Sequence, residues 1–369
     1  DFTSYPLQSG GLVAKQYMVA LLEEISLRRQ WLVHLQGDCI PDSFHSVYIG
    51  GGTPSILPVH ELRQLMEAVS QSFPLTEEAE ITLEVNPGTI DEGELAALRQ
   101  MGINRLSLGV QSFDDGFLRK LGRVHNSADV YRVVKAARAA GFQNLSFDLM
   151  LGLPGQSLQA WRESLSLATE LCPEHISCYE LTIEADTTYG HWYNEGKLSL
   201  PSEDTIIAML KGTAQYLVSL GYQHYEISNY ALPGFESRHN QIYWQNRWYL
   251  GLGAAAYSYW QGRRWGNTSQ LHEYHAMINA GQFPEVEEEI LDLRGQAGET
   301  MMLGLRLREG VSFTEFHHRF GVSIWDFWEK EITNFINQGL VEVAQGRIRL
   351  TDRGLLLANQ VQSAFVGSS

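Results

Sequence analysis

Cysteine is scarce in this chain, with 3 residues in 369. That count excludes a disulfide framework and points to a reducing compartment. Basic charge is also in short supply, 27 Lys and Arg against 43 Asp and Glu, for a net charge of −16. Such a balance opposes non-specific attraction to nucleic acid and to anionic lipid. Nowhere do apolar residues run for the roughly 20 positions that a bilayer-spanning helix needs. The opening Asp1-Phe2-Thr3-Ser4-Tyr5-Pro6 has neither the basic flank nor the apolar run of a signal peptide. No internal repeat or low-complexity tract is present. What remains is the composition of a globular protein, 44% hydrophobic and 19% charged, and the expectation is an acidic, soluble, cytoplasmic chain of two or three domains.

The pattern of elements is alternating. Leu12 to Leu35 has helical spacing, Val47 to Ile49 reads as a strand, and Val59 to Ser72 as a helix. Strands follow at Ile81 to Val85, Arg105 to Ser112, Leu145 to Leu151 and Ile176 to Ile183. Helices stand between them at about Asp91 to Met101, Phe117 to Leu121, Ala128 to Ala140 and Leu158 to Leu171. Strands separated by helices predict a parallel sheet, and about five strands with helices throughout fit an α/β partial barrel. The expected organisation is a barrel over 1–185, an irregular aromatic-rich extension over 186–290 and a C-terminal α+β domain over 291–369. The last, with three helices and a two-stranded turn, reads as winged-helix-like.

Four motifs close successive strands: Gly50-Gly51-Gly52-Thr53-Pro54, Glu84-Val85-Asn86-Pro87, Gly109-Val110-Gln111-Ser112-Phe113 and Phe147-Asp148-Leu149-Met150. Their polar groups should gather at one rim of the sheet, where α/β folds bind ligands. A glycine run is commonly a tight turn, yet it also lets a bulky ligand lie against backbone. Glu84, Gln111 and Asp148 interrupt apolar strands, and a buried carboxylate needs a partner, either a structural ion pair or a ligand. Arg123, in Leu121-Gly122-Arg123-Val124-His125, could grip a ligand carboxylate or stand solvated on the surface.

Taken in order, GGGTP, EVNPG, GVQSF, LGRVH and FDLMLGLPGQ resemble the motifs of the radical S-adenosylmethionine (radical SAM) family. The branch is the one containing oxygen-independent coproporphyrinogen III oxidase and a heme chaperone. The resemblance implies a partial (β/α)6 radical SAM barrel followed by the winged-helix-like domain. It implies that Gly51, Gly52 and Thr53 contact the methionine end of S-adenosylmethionine, and that Glu84, Gln111, Arg123 and Asp148 bind the rest.

The family also holds a 4Fe-4S cluster on three cysteines spaced CxxxCxxC at the end of the first barrel strand, the last commonly followed by Asp-Phe. This chain starts with Asp1-Phe2, and Cys39, Cys172 and Cys178 have the wrong spacing to substitute. The cluster cysteines are therefore expected immediately upstream of Asp1, with the first strand. Arg238-His239-Asn240-Gln241-Ile242-Tyr243-Trp244 resembles the HNxxYW motif that the branch associates with heme. An imidazole can ligate heme iron, and Tyr243 and Trp244 offer flat apolar surface; the alternative is a histidine bonded to a loop and aromatics packed in a core. His317-His318 reads as surface or packing. Three functions follow from the resemblance: a heme chaperone that passes heme to an acceptor protein, an oxidase-type enzyme of porphyrin biosynthesis, or a cluster-less binding module on the same scaffold.

Overall fold

The computed structural model describes residues 12–35 and 43–366. Asp1, Phe2 and Cys39, which carried expectations about the cluster, lie outside the described residues. Helix α1 (Leu12–His34) comes first and is followed by β1 (Phe44–Ile49), α2 (Val59–Ser72), β2 (Leu75–Val85), α3 (Glu92–Gln100), β3 (Arg105–Gln111), α4 (Asp115–Lys120), α5 (Ser127–Ala139), β4 (Leu145–Leu151), α6 (Leu158–Glu170) and β5 (His175–Glu180). Helices α7 (Thr188–Asn194) and α8 (Glu203–Ser219) then lead to two short strands, β6 (Gln223–His224) and β7 (Asn229–Ala231). Among the described residues these strands form one seven-stranded sheet in the order β1-β2-β3-β4-β5-β7-β6. The first five are parallel, and β7 runs antiparallel to both β5 and β6.

Local chemistry sets where the helices start. Asp91 with Glu94, and Asn126 with Asp129, form reciprocal capping boxes on α3 and α5, while Asp114 and Ser157 cap α4 and α6. Apolar residues of α2, α3, α5, α6 and α8, Leu62, Leu95, Val130, Trp161 and Met209 among them, pack on one face of the sheet. That face presents Ile81, Leu83 and Val85 of β2, Leu106, Leu108 and Val110 of β3, Leu145, Phe147 and Leu149 of β4, and Ile176 and Cys178 of β5. The intervening positions are polar: Thr82 and Glu84, Arg105 and Ser107, Ser146 and Asp148, His175 and Ser177. Parallel strands covered on both sides by apolar layers read as unbroken hydrophobic runs. Alternation here means that the second face of the sheet is lined with polar groups, as in a half-barrel.

Contacts divide the chain into two compact units, residues 12–14, 43–224 and 228–237 in the first and 15–35, 225–227 and 238–366 in the second. Most of α1 thus packs with the second unit, although it precedes β1 in sequence. The second unit holds α9 (Arg238–Trp244), a three-stranded sheet of β8 (Tyr257–Trp260), β9 (Arg263–Asn267) and β10 (Glu285–Ile290), and α10 (Leu271–Asn279). After it come α11 (Leu293–Gly304), β11 (Val311–Ser312), α12 (Phe313–Phe320), α13 (Ile324–Asn337), β12 (Val341–Ala344), β13 (Arg347–Leu350), α14 (Asp352–Leu355) and α15 (Ala358–Ser363).

Two expectations need correction. The extension over 186–290, read as irregular, contains the short strands β6 to β9, each too short to show a period. The C-terminal sheet has three strands rather than two, because Val311 and Ser312 pair with Ile348 and Arg347. Helix α1 docks through a buried carboxylate: Glu24, with no exposed surface, accepts from Gly253 N (2.7 Å), Asn267 Nδ2 (2.8 Å) and Tyr274 Oη (2.7 Å). Every bond replaces a hydration contact that burial removes. No helix among the described residues is long and apolar enough to cross a membrane.

Candidate functional site

The polar groups converge at the carboxyl ends of β1 to β4. Glu84, the penultimate residue of β2, accepts from the Tyr48 hydroxyl at Oε1 (2.8 Å) and from the Gly51 N–H at Oε2 (3.1 Å). Its partners here are a neutral hydroxyl and a backbone amide rather than a cation, so of the two alternatives the structural ion pair is not the one formed. Gly50 is small by necessity, since a Cβ there would lie 2.6 Å from a Tyr48 ring carbon and 2.8 Å from the Glu84 carboxyl. Gly51 has φ +117°, which side-chain-bearing residues rarely adopt. A Cβ on Gly51 or Gly52 would meet nothing within 4 Å, so this backbone faces open space.

Beside it, Asn86 donates from Nδ2 to Thr53 Oγ1 (3.0 Å) and accepts at Oδ1 from Arg123 (3.3 Å). Thr53 in turn donates to the Gly52 carbonyl. Arg123 is half-buried; burial pulls its pKa down while the nearby Asp148 charge acts in the opposite sense. Gln111 ends β3 with φ +63°, in the left-handed region, at a bulge where the β3–β4 register shifts. Non-glycine residues held there are strained, and such strain collects at ligand sites. Over Gly109 the side chains of Asn86 and Gln111 come together, for a Cβ on that glycine would lie 2.9 Å from Asn86 Oδ1 and 3.2 Å from Gln111 Nε2.

Asp148 stands one layer deeper, midway along β4, with Ser107 donating to its Oδ2 at 3.1 Å and Ser177 also bonded to it. The residue keeps some accessible surface, yet its carboxyl is surrounded by protein on the scale over which desolvation acts. Burial is the main cause that raises its pKa from 3.8 to about 6, against the hydrogen bonds from Ser177 and Ser107 and the Arg105 charge. His175 lies on the same face, with Nδ1 2.7 Å from Ser146 Oγ, and burial holds its pKa well below the ordinary value. Gly51, Gly52, Thr53, Glu84, Gln111, Arg123 and Asp148 thus share one cluster, Asp148 deeper than the rest. Asn86, from the second motif, belongs to it as well, and so do Tyr48, Arg105, Ser107 and Ser177, which were not expected. Alternation of polar and apolar residues in the strands was the signal that could have found Arg105, Ser107 and Ser177.

Of the cysteines described, Cys178 sits on the apolar face of β5, where burial pushes its thiol pKa far up, and Cys172 is exposed. No group of three His, Cys, Asp or Glu side chains able to hold a metal exists among the described residues. The thiols present therefore do not fit an iron–sulfur cluster.

In the second unit, α9 carries the aromatic motif. His239 and Tyr243, one helical turn apart, meet edge to face at 4.9 Å, with Nε2 3.0 Å from the Tyr243 hydroxyl. Tyr243 continues edge to face onto Tyr249 at 4.5 Å, and burial, then the Tyr249 neighbour, push its pKa up to about 12. Trp244 is about 140° further round the helix than His239, and the Arg306 guanidinium lies 4.2 Å from its ring centre. Hence His239 and Tyr243 form one surface, and Trp244 belongs to another.

Residues 37–168 match the Radical SAM superfamily and residues 291–357 the HemN C-terminal domain. The curated heme chaperone HemW of Lactococcus lactis is 38% identical over 88% of this chain and 85% of its own length. The HemW of Bacillus subtilis is 34% identical over 100% and 95% of the two chains, and that of Escherichia coli 32% over 99% and 93%. This chain belongs to the radical SAM superfamily, in its HemW group. The solved radical SAM enzyme coproporphyrinogen III oxidase (HemN) of Escherichia coli shares the fold, with TM-score 0.83 over 99% of this chain and 86% of the enzyme. At 23% identity that likeness speaks to the fold alone.

Proposed function

We propose that this chain is a heme chaperone that binds S-adenosylmethionine at the rim of its half-barrel and heme through α9, and delivers heme to an acceptor protein. Membership of the HemW group over nearly the whole chain carries this reading, and the pairing of His239 with Tyr243 on one face of α9 supports it. An imidazole beside a hydroxyl that can bond its ring nitrogen is a suitable axial ligand for heme iron. Tyr243 and Tyr249 supply apolar ring surface next to it. We assign Trp244 a flanking role through its packing with Arg306 rather than contact with the same heme face.

The first unit suits S-adenosylmethionine. Gly51 and Gly52 open onto free space with no Cβ to fill it, and around them stand a fixed carboxylate, two amides and a guanidinium. Glu84 would accept from the ligand's hydroxyl or ammonium groups, Thr53 and the glycine backbone would hold its methionine end, and Arg123 would meet its carboxylate. Asn86 keeps Arg123 and Thr53 in place, and the apolar layer behind the strands excludes water. Bound beside a reduced cluster, S-adenosylmethionine supplies radical chemistry; we place the cluster's cysteines outside the described residues.

The test is a titration of the purified chain with hemin, followed by absorbance, alongside S-adenosylmethionine binding by calorimetry. Saturable binding of one heme per chain is expected, together with independent binding of S-adenosylmethionine. Absence of saturable heme binding would remove the chaperone reading and leave the oxidase-type or scaffold alternatives.

A further inference from the structure

The glycine run, Glu84 and Tyr48 are built as one unit, and the tyrosine has a task that the rim motifs do not reveal. Tyr48 lies on the polar face of β1, two residues before Gly50, and is level with Thr82 of β2 in the parallel register. From there its hydroxyl reaches up the sheet to Glu84 Oε1 at 2.8 Å, while the Gly51 N–H takes Oε2 at 3.1 Å. One donor on each oxygen fixes the plane of a carboxylate that otherwise rotates broadly about its last bond. Its remaining lone pairs are left for the open space in front of Gly51 and Gly52. Gly50 closes the arrangement, because its missing side chain is what lets the tyrosine ring and the carboxylate lie against the turn.

We propose that Tyr48 is a positioning residue for S-adenosylmethionine binding: it acts through Glu84, holding that carboxylate in the orientation from which it accepts the ligand's hydrogen bonds. The inference rests on the reading of the rim as the S-adenosylmethionine site and deepens it. Two physical circumstances favour the role. Burial, then the neighbouring Glu84 and Asp148 charges, push the phenol pKa far up, so the hydroxyl stays a donor at every physiological pH. The ring is also half-buried on strand β1, paired directly to β2, rather than on a loop, and sites held by rigid elements lose less order when a ligand arrives.

A double-mutant cycle on the full chain, as purified, tests it, with S-adenosylmethionine affinity as the readout and thermal unfolding as the control. Tyr48→Phe removes one oxygen and should weaken binding about tenfold, the effect of a lost hydrogen bond to a charged group. Glu84→Ala should weaken it at least as much. In the Glu84→Ala background, Tyr48→Phe should change affinity by less than about twofold, since its target is gone. Independent, multiplying effects in the double variant would overturn the proposal, because Tyr48 would then act on the fold or on the ligand and not through Glu84. Wild-type affinity in Tyr48→Phe would overturn it too. If Glu84→Ala itself binds normally, the reading of the rim fails and the tyrosine's role with it, so the two failures are distinguishable.

Discussion

At the scale of single residues, the site is a set of polar groups placed where burial would otherwise penalise them. Glu84 should be the most sensitive: Glu84→Ala is expected to weaken S-adenosylmethionine binding about tenfold to hundredfold, read by calorimetry. Asp148 makes a prediction with a sign. Its pKa is higher in the fold, about 6, than the ordinary 3.8, so the folded chain holds a proton that the unfolded chain releases. Stability from this group is therefore lost as pH rises from about 4 to about 6, and the penalty is complete above that range. Asp148→Asn should melt higher than wild type at pH 7 to 8, with the difference vanishing near pH 4, while its ligand affinity falls. A difference independent of pH would refute the assignment. Glu84, Gln111 and Asp148 stood out in the sequence because each interrupts an apolar strand, and Arg123 because it stands in the LGRVH segment. Tyr48 did not, since a tyrosine is at home in a strand, and only the fold shows its hydroxyl directed at Glu84. The strain at Gln111 was equally hidden, for no residue type announces a left-handed backbone at a bulge.

At the scale of elements, the turn after β1 is where side-chain size decides binding. Gly50→Ala and Gly52→Ala should behave differently despite being two residues apart. The first drives a methyl into Tyr48 and Glu84 and should lower stability by about 1–3 kcal/mol, as overpacking does, together with affinity. The second meets open space and should leave the melting temperature nearly unchanged while still crowding the ligand. Loss of stability in Gly52→Ala but not in Gly50→Ala would contradict the geometry. Helix α2 and strand β4 were legible to the residue, because period and length agreed. Strand β2 begins at Leu75, six residues before the apolar run at Ile81, since Thr76, Glu77 and Glu78 carry no strand signal of their own. Strands of two to five residues in the region read as irregular give too few positions for any period to emerge. In α1 the helical spacing shows nothing of what Glu24 and Arg28 bond, because those partners lie in segments more than 220 residues further along the chain.

At the scale of the whole molecule, the proposed function assigns a different ligand to each of the two compact units. Ordered motifs made the barrel readable from the sequence, since they recur with successive strands and their polar groups gather on one face of the sheet. The assignment of α1 to the second unit was not readable, because it depends on contacts with residues that follow the barrel. The central claim is that heme and S-adenosylmethionine occupy separate sites, one on α9 and one at the barrel rim. Trp244→Ala should reduce heme affinity modestly with little spectral change, because its ring packs with Arg306 away from His239. The most direct measurement is a hemin titration of His239→Ala against wild type, followed at the Soret band, with S-adenosylmethionine affinity determined on the same samples. The expected result is a shifted Soret band and weakened heme binding with S-adenosylmethionine affinity unchanged. An unaltered spectrum and heme affinity in His239→Ala would contradict it.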